Sequence, residues 1–242
     1  MRIGIIGCGN IGHIISERIK IHACYDIYPE KCRCMNAKIC KNIEELVDEA
    51  DVIVEAASVE AVREYAKYIL SRGRDMIIMS VGALADENLR KEIENTAREN
   101  NAHIFLTSGA IGGVDLIKSA KMAGLDRITL KTYKSASSLG MNLTERKLVF
   151  SGKASDAIKK FPKSVNVAVL LSIVSRKDID VEVYADPKID SNIHVIEVSG
   201  MFGTARFEIK NKPSKNNPKT SYLAALSLLE AINSLDDVIR VI

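Results

Sequence analysis

The 242-residue chain carries 34 basic and 31 acidic side chains for a net charge of +3, and is 47% hydrophobic and 27% charged. So balanced a charge leaves no electrostatic footprint for nucleic acid or an anionic membrane, the composition excludes wholesale disorder, and no apolar run is long enough to span a bilayer. The length allows one large domain or two modest ones, each able to bury a core.

In chain order, RIGIIG (2–7) is a short apolar run ending in glycine, and a helix follows with Ile11, Ile14, Ile15 and Ile19 on one face. This opening loosely mimics a signal peptide. Its glycines and Asn10 break the apolar region, a nucleotide loop explains them better, and the chain reads as cytoplasmic. HACYDI (22–27) reads as a second strand and DVIVEAAS (51–58) as a buried third. Ser58 caps a helix whose Val62, Tyr65, Ala66, Ile69 and Leu70 share a face, and Gly73 ends it. MIIMSV (76–81), a helix capped by Asp86, and HIFLTS (103–108) complete the series. Buried strands alternating with amphipathic helices indicate a doubly wound α/β parallel sheet covered on both faces.

The pattern changes at TSGAIGGVD (107–115). After a helix near 114–123, strands dominate: ITLKTYK (128–134), KLVFSG (147–152), VEVYAD (181–186), IHVIEVSG (193–200) and TARFEIKN (204–211). Helices at 154–161 and at the apolar 166–175 interrupt them. Strands without regular crossovers indicate a mixed or antiparallel sheet, so a second, α+β domain spans 109–216 after a first over 1–108. A final helix is expected from Pro218 to about Leu235, with Asn217 as its cap.

Gly7-Cys8-Gly9-Asn10-Ile11-Gly12 forms G-x-G-x-x-G directly after a strand and at the opening of a helix, the context a dinucleotide fingerprint requires. Gly7, Gly9 and Gly12 permit a tight turn and close approach of a pyrophosphate, with Asn10 and Ile11 opening the helix beneath it. Asp26, nineteen residues beyond Gly7, is placed to accept hydrogen bonds from ribose hydroxyls and favours NAD. Lys31 and Arg33 lie close enough to keep NADP possible. The five cysteines (Cys8, Cys24, Cys32, Cys34 and Cys40) are an odd, clustered set without zinc spacing, and read as reduced structural thiols with no metal.

Elsewhere the residues leave alternatives open. Gly109, Gly112 and Gly113 suit a hinge or a close approach to ligand. The segment EIKNKPSKNNPKTS (208–221) is a solvated basic loop, or else presents Lys219, Thr220 and Ser221 to a carboxylate at a helix start. His194 shares a strand face with Ile196 and Val198, and is either a satisfied strand residue or a proton carrier.

Taken as blocks, GIIGCGNIG (4–12), VEAAS (54–58), SVGALAD (80–86), SGAIGGVD (108–115), FPKSVNVAVLLSI (161–173), NIHVIEVSGMFG (192–203) and NKPSKNNPKTSYLAALS (211–227) resemble the L-aspartate dehydrogenases over nearly the whole chain. The resemblance implies a Rossmann domain over 1–108 completed by a C-terminal helix within 217–242, a catalytic and dimerisation domain over 109–216, and a homodimer. It implies oxidation of L-aspartate with NAD or NADP to iminoaspartate, which hydrolyses to oxaloacetate and ammonia or feeds NAD biosynthesis. It puts the active-site histidine on His194, cofactor contacts on Ala57, Ser58, Ala110, Ser164 and Asn166, and substrate contacts on Lys134, Asn192, Lys219, Thr220 and Ser221. Two positions depart from the family: Ser164 stands where members carry a first asparagine, and Tyr133-Lys134 where many carry Arg-Lys, so one carboxylate-binding guanidinium is missing. Alternatives are a dihydrodipicolinate-reductase-like or homoserine-dehydrogenase-like enzyme, or an NAD-sensing module without turnover.

Overall fold

The computed structural model describes residues 1–161, 165–214 and 217–239, the side chains of Pro218 and Lys219 excepted. Two compact units emerge, Met1–Thr107 joined by the chain from Ala225, and Ser108–Ala224.

The first unit runs β1 (Ile3–Ile6), α1 (Asn10–Ser16), β2 (Ala23–Tyr25), β3 (Lys38–Ile39), α2 (Ile43–Glu49), β4 (Val52–Glu55), α3 (Val59–Ser71), β5 (Asp75–Ile78), α4 (Glu87–Glu99) and β6 (Ile104–Leu106). Its six strands are ordered β3-β2-β1-β4-β5-β6 and every pairing is parallel. All four residues of both β1 and β4 are buried, which explains their continuous apolar runs. Ser58 Oγ accepts from Ala61 N–H to start α3, and Asp86 Oδ1 accepts from Asn88 and Leu89 N–H to start α4. Each cap is worth about 1 kcal/mol. The order of the strands reverses direction between β1 and β4, the switch point at which such sheets bind ligands beyond their carboxyl ends.

The second unit contains α5 (Val114–Ala120), β7 (Leu125–Ser135), β8 (Lys147–Lys153), α6 (Ala154–Lys160), α7 (Asn166–Ser175), β9 (Asp180–Asp186), β10 (Ile193–Gly200), β11 (Gly203–Lys210), β12 (Pro213–Ser214) and β13 (Asn217–Ser221). Its five-stranded sheet has the order β11-β10-β7-β9-β8, and β7–β9 is its one parallel pair. Opposite His194 on β10 stands Thr132 on β7, itself opposite Val183 on β9. Strand alternation therefore gathers His194, Thr132, Lys134, Leu130, Val181 and Val183 on one face.

The last helix, α8, covers Tyr222–Asn233 and not a stretch beginning at Pro218. Asn217–Ser221 instead forms β13, which pairs with β12 through Pro213↔Ser221 and Ser214↔Asn217. Proline fits a two-stranded ribbon as readily as a helix start, because such a ribbon consists only of edges that require no inward donor. From α8, Leu228, Leu229 and Ile232 enter the core of the first unit with Ile3, Ile5, Ile15, Val52 and Ile77. Burial stabilises each by about 2 kcal/mol.

Candidate active site

In the first unit, the turn after β1 is held by its glycines. Gly7 has φ +98°, and a Cβ there would lie 2.7 Å from the Ala56 carbonyl carbon and oxygen. A Cβ on Gly12 would strike the Gly7 carbonyl oxygen. Gly9 is different: its φ is −85° and, its immediate chain neighbours apart, none of the described residues comes within 4 Å of a Cβ built on it. Nothing among the described residues demands glycine at position 9, so the space above it fits the close approach of a ligand.

Around that space the described residues enclose a cavity of about 250 Å³ lined by Gly7, Gly9, Asp26, Lys31, Ala57 and Ser58, among others. Tyr25 and Tyr65 stand edge to face on its wall, with ring centroids 5.9 Å apart. Asp26 Oδ2 accepts from Cys8 N–H at 2.9 Å and Oδ1 from Tyr28 N–H at 2.9 Å. This fixes the carboxylate beside the glycine turn and leaves lone pairs for ribose hydroxyls. Lys31 Nζ sits 4.3 Å from the Tyr28 ring centroid on the same cavity and adds a cation to its wall. Asn10 opens α1, and Ile11 packs against the core beneath the loop.

Glu55, fully buried at the end of β4, was not singled out from sequence. Its carboxylate accepts from Ala57 N–H at 2.8 Å, Ser80 N–H at 2.8 Å and Ser80 Oγ–H at 2.9 Å. Burial pushes its pKa up, against these donors and the Ser58 N–H, which favour the charged form. The carboxylate therefore clamps the Ala57–Ser58 wall of the cavity from below.

In the second unit, His194 is only 7% exposed, and its Nδ1 lies 3.1 Å from Thr132 Oγ1. Burial, and then the charge of Lys134, pushes its pKa down to about 4, so the ring is neutral at pH 7. Lys134 is lowered as well, by burial alone, and among the described residues its ammonium makes no ion pair. Both line a cavity of about 50 Å³ whose remaining described walls are mostly apolar, among them Leu130, Phe161, Val165 and Val183. That volume admits a water beside the imidazole. A neutral imidazole beside a cation with no ion pair among the described residues is an arrangement able to take a proton next to a bound anion.

The Arg-Lys departure falls outside this pocket. Residue 133 lies on the opposite sheet face from residue 134, where Tyr133 stacks on Tyr184 with centroids 4.8 Å apart and Arg146 over its ring. The exchange at 133 therefore removes no group from the face that carries His194.

Asn211, also not foreseen, is a buried tie. Its Nδ2 donates to the Ala110 carbonyl at 3.1 Å, its N–H to the Asn192 carbonyl at 3.0 Å, and its Oδ1 accepts from Ser221 Oγ. Ser221 thus braces Ala110 and Asn192 through Asn211, and does not stand free at a helix start as the sequence suggests. Thr220 lies in β13 with it, whereas the Lys219 side chain and Ser164 are outside the described residues. Asn166 opens α7. Gly113 has a packing role: a Cβ there would meet the Phe207 ring at 2.5 Å.

No helix among the described residues is long and apolar enough to cross a membrane. The family model described as aspartate dehydrogenase, C-terminal, matches residues 115–235, and that described as homoserine dehydrogenase, NAD binding domain, matches 7–107. The L-aspartate dehydrogenase of Methanospirillum hungatei is 46% identical over 98% of this chain and 97% of its own length. That of Methanothermobacter thermautotrophicus is 38% identical over 100% and 98%. The crystal structure of aspartate dehydrogenase from Thermotoga maritima superposes with a TM-score of 0.87 at 31% identity, over 100% of this chain and 99% of that one. The sheet order, the glycine turn and these matches agree on a nicotinamide-dinucleotide fold in the first unit, and by its full-length likeness the chain belongs to the L-aspartate dehydrogenase family.

Proposed function

We propose that this chain oxidises L-aspartate with NAD to iminoaspartate, which hydrolyses to oxaloacetate and ammonia. The observation that carries the reading is the neutral, buried His194 beside the ammonium of Lys134, which has no ion pair among the described residues, in one apolar pocket. Such a pair of groups suits an anionic substrate that must lose a proton.

The dinucleotide supplies the hydride acceptor. Gly7, Gly9 and the start of α1 would hold its pyrophosphate, Asp26 its ribose, and Ala57 and Ser58 the adjoining wall. Ala110, Asn166 and Ser164 are proposed as further cofactor contacts. Lys134 binds a substrate carboxylate, with Asn192, Lys219, Thr220 and Ser221 as proposed partners for the rest of the dicarboxylate. Only a neutral amine releases hydride readily from its carbon, so His194, directly or through a water the pocket admits, takes the ammonium proton, passes it to solvent once the hydride has left, and only then activates water against the imine. Thr132 fixes the ring through Nδ1, which leaves Nε2 as the working atom. A bound carboxylate would cancel part of the Lys134 charge and raise the imidazole toward the range in which it accepts a proton.

Asp26 favours NAD over NADP by repelling a 2′-phosphate, while Lys31 keeps NADP use open. A cytoplasmic homodimer supplying iminoaspartate for NAD biosynthesis is part of the proposal. The sheet face opposite His194 carries Arg127, Lys131 and Arg206 beside Glu182 and Glu197, so a second copy could match its charges.

The test is NADH formation at 340 nm with L-aspartate, NAD and NADP being run in parallel, against a panel of homoserine and other amino acids, with dihydrodipicolinate tried in the reverse sense by NADH consumption. Aspartate-dependent reduction of NAD, with a deuterium at the aspartate α-carbon transferred to the product, supports the reading. Turnover confined to another panel member assigns a different substrate, and tight NAD binding without any turnover indicates a sensor.

A further inference from the structure

Beneath the glycine turn lies a group of side chains that the proposed reaction does not use. Cys8 in the turn, Cys24 on β2 and Cys32 in the 3-10 segment Pro29–Cys34 are at most 1% exposed. Their three Sγ atoms all lie within 4.8 Å of one another, and Cys8 and Cys32 approach to 2.9 Å. All five cysteines of the chain are free thiols. The trio belongs to the same apolar core cluster as Ile3, Ile5, Val54 and Met35. Among the described residues no histidine nitrogen or carboxylate oxygen joins it.

We propose that Cys8, Cys24 and Cys32 form a binding site for a soft, three-coordinate cation of the copper(I) class. Thiolates at a metal–sulfur distance of about 2.3 Å in a trigonal arrangement stand about 4 Å apart, so Cys8 and Cys32 would part by about 1 Å to hold a cation that Cys24 also reaches. Three convergent sulfurs favour a metal over a disulfide, which would join two and leave the third idle. The donor count and type choose the class. Structural zinc is almost always four-coordinate, and hard cations want oxygen, whereas an all-sulfur site selects copper(I). On binding, the thiols lose protons to solvent as the metal–sulfur bonds form, with no change of oxidation state, so affinity rises with pH. Cys34 is exposed two residues from Cys32 on the same short segment, and offers an incoming cation a first sulfur at the surface.

The full chain, reduced, stripped with a chelator and kept anaerobic, is titrated with copper(I) against the competing chelator bicinchoninate. The expected result is one copper per chain retained against the competitor, with an X-ray absorption edge showing three sulfurs in the first shell. Replacing Cys8, Cys24 or Cys32 with serine abolishes that stoichiometry, and Cys34→Ser or Cys40→Ser preserves it. The absorption measurement uses the unaltered protein and stands even where a buried serine variant does not fold. Copper lost to the competitor, held by two sulfurs, or released by Cys34→Ser overturns the assignment, as does a preference for zinc with four ligands. None of these readings depends on aspartate turnover.

Discussion

Gly9 and Gly7 make opposite demands on the chain, and alanine at each position separates a ligand requirement from a folding requirement. At Gly9 the backbone is extended, and an added methyl would meet none of the described residues within 4 Å, its chain neighbours apart. Gly9→Ala should therefore leave the fold intact and stabilise it by about 0.4–1 kcal/mol, through reduced freedom of the unfolded chain. In a chain of this size that is a rise in Tm of roughly 1–4 °C. The same methyl fills the space assigned to the pyrophosphate, so the Kd for NADH should rise at least about tenfold, equivalent to 1.4 kcal/mol. At Gly7, φ is +98° and the methyl would lie 2.7 Å from the Ala56 carbonyl group. Left-handed strain of about 1–2 kcal/mol and an overlap cost of about 1–3 kcal/mol add, and Gly7→Ala should lower Tm by several degrees with or without cofactor. Thermal unfolding paired with NADH fluorescence titration reads both effects. A Gly9→Ala protein that binds NADH with unaltered affinity would refute the placement of the pyrophosphate.

Four further outcomes follow from the geometry. In heteronuclear NMR the His194 imidazole should stay neutral down to about pH 4, and Lys134→Met should raise its pKa only in part, because burial is the larger cause. A normal histidine titrating near 6.5 would contradict this. The sign for stability is also set. The unfolded chain takes up the proton below about 6.5 and the folded ring only near 4, so this residue's contribution is intact above 6.5 and is lost as the pH falls through that window, on the order of 3 kcal/mol. Lys134→Met should also raise the KM for aspartate about 10- to 100-fold with the NADH Kd unchanged, as loss of a charge-assisted contact predicts; an unaltered KM would remove Lys134 from the substrate site. Glu55→Ala strands the donors of Ala57 and Ser80 and should cost about 3 kcal/mol in chemical denaturation, whereas a variant as stable as the parent would show that the clamp is dispensable.

The sequence disclosed the parallel sheet because its strands are buried on both faces and its helices carry clear caps at Ser58 and Asp86. Helix α2 could also have been read from Asn42 and Glu45, since the Asn42 side chain accepts from Glu45 N–H and Glu45 accepts from Lys41 N–H. The glycine turn and Asp26 were legible because spacing along the chain determines that site. What lay hidden depends on register. That Thr132 faces His194 while Tyr133 faces away follows from the β7–β10 pairing, which no local pattern specifies. Asn211 and Glu55 look like an ordinary loop amide and an acid ending an apolar strand, and only long-range partners reveal their work. Asn217-Pro218 misled because a helix cap and a ribbon edge share the same residues, and the pairing with Pro213–Ser214 decides between them.

The account depends most on the imidazole of His194 carrying the substrate's proton, and His194→Ala tests it directly in parallel titration and turnover. The variant is expected to bind NADH with the parent's affinity while aspartate-dependent NADH formation falls by about 100-fold or more, the usual contribution of a positioned acid–base group. Turnover at the parent's rate, with NADH binding equally unaltered, would contradict it.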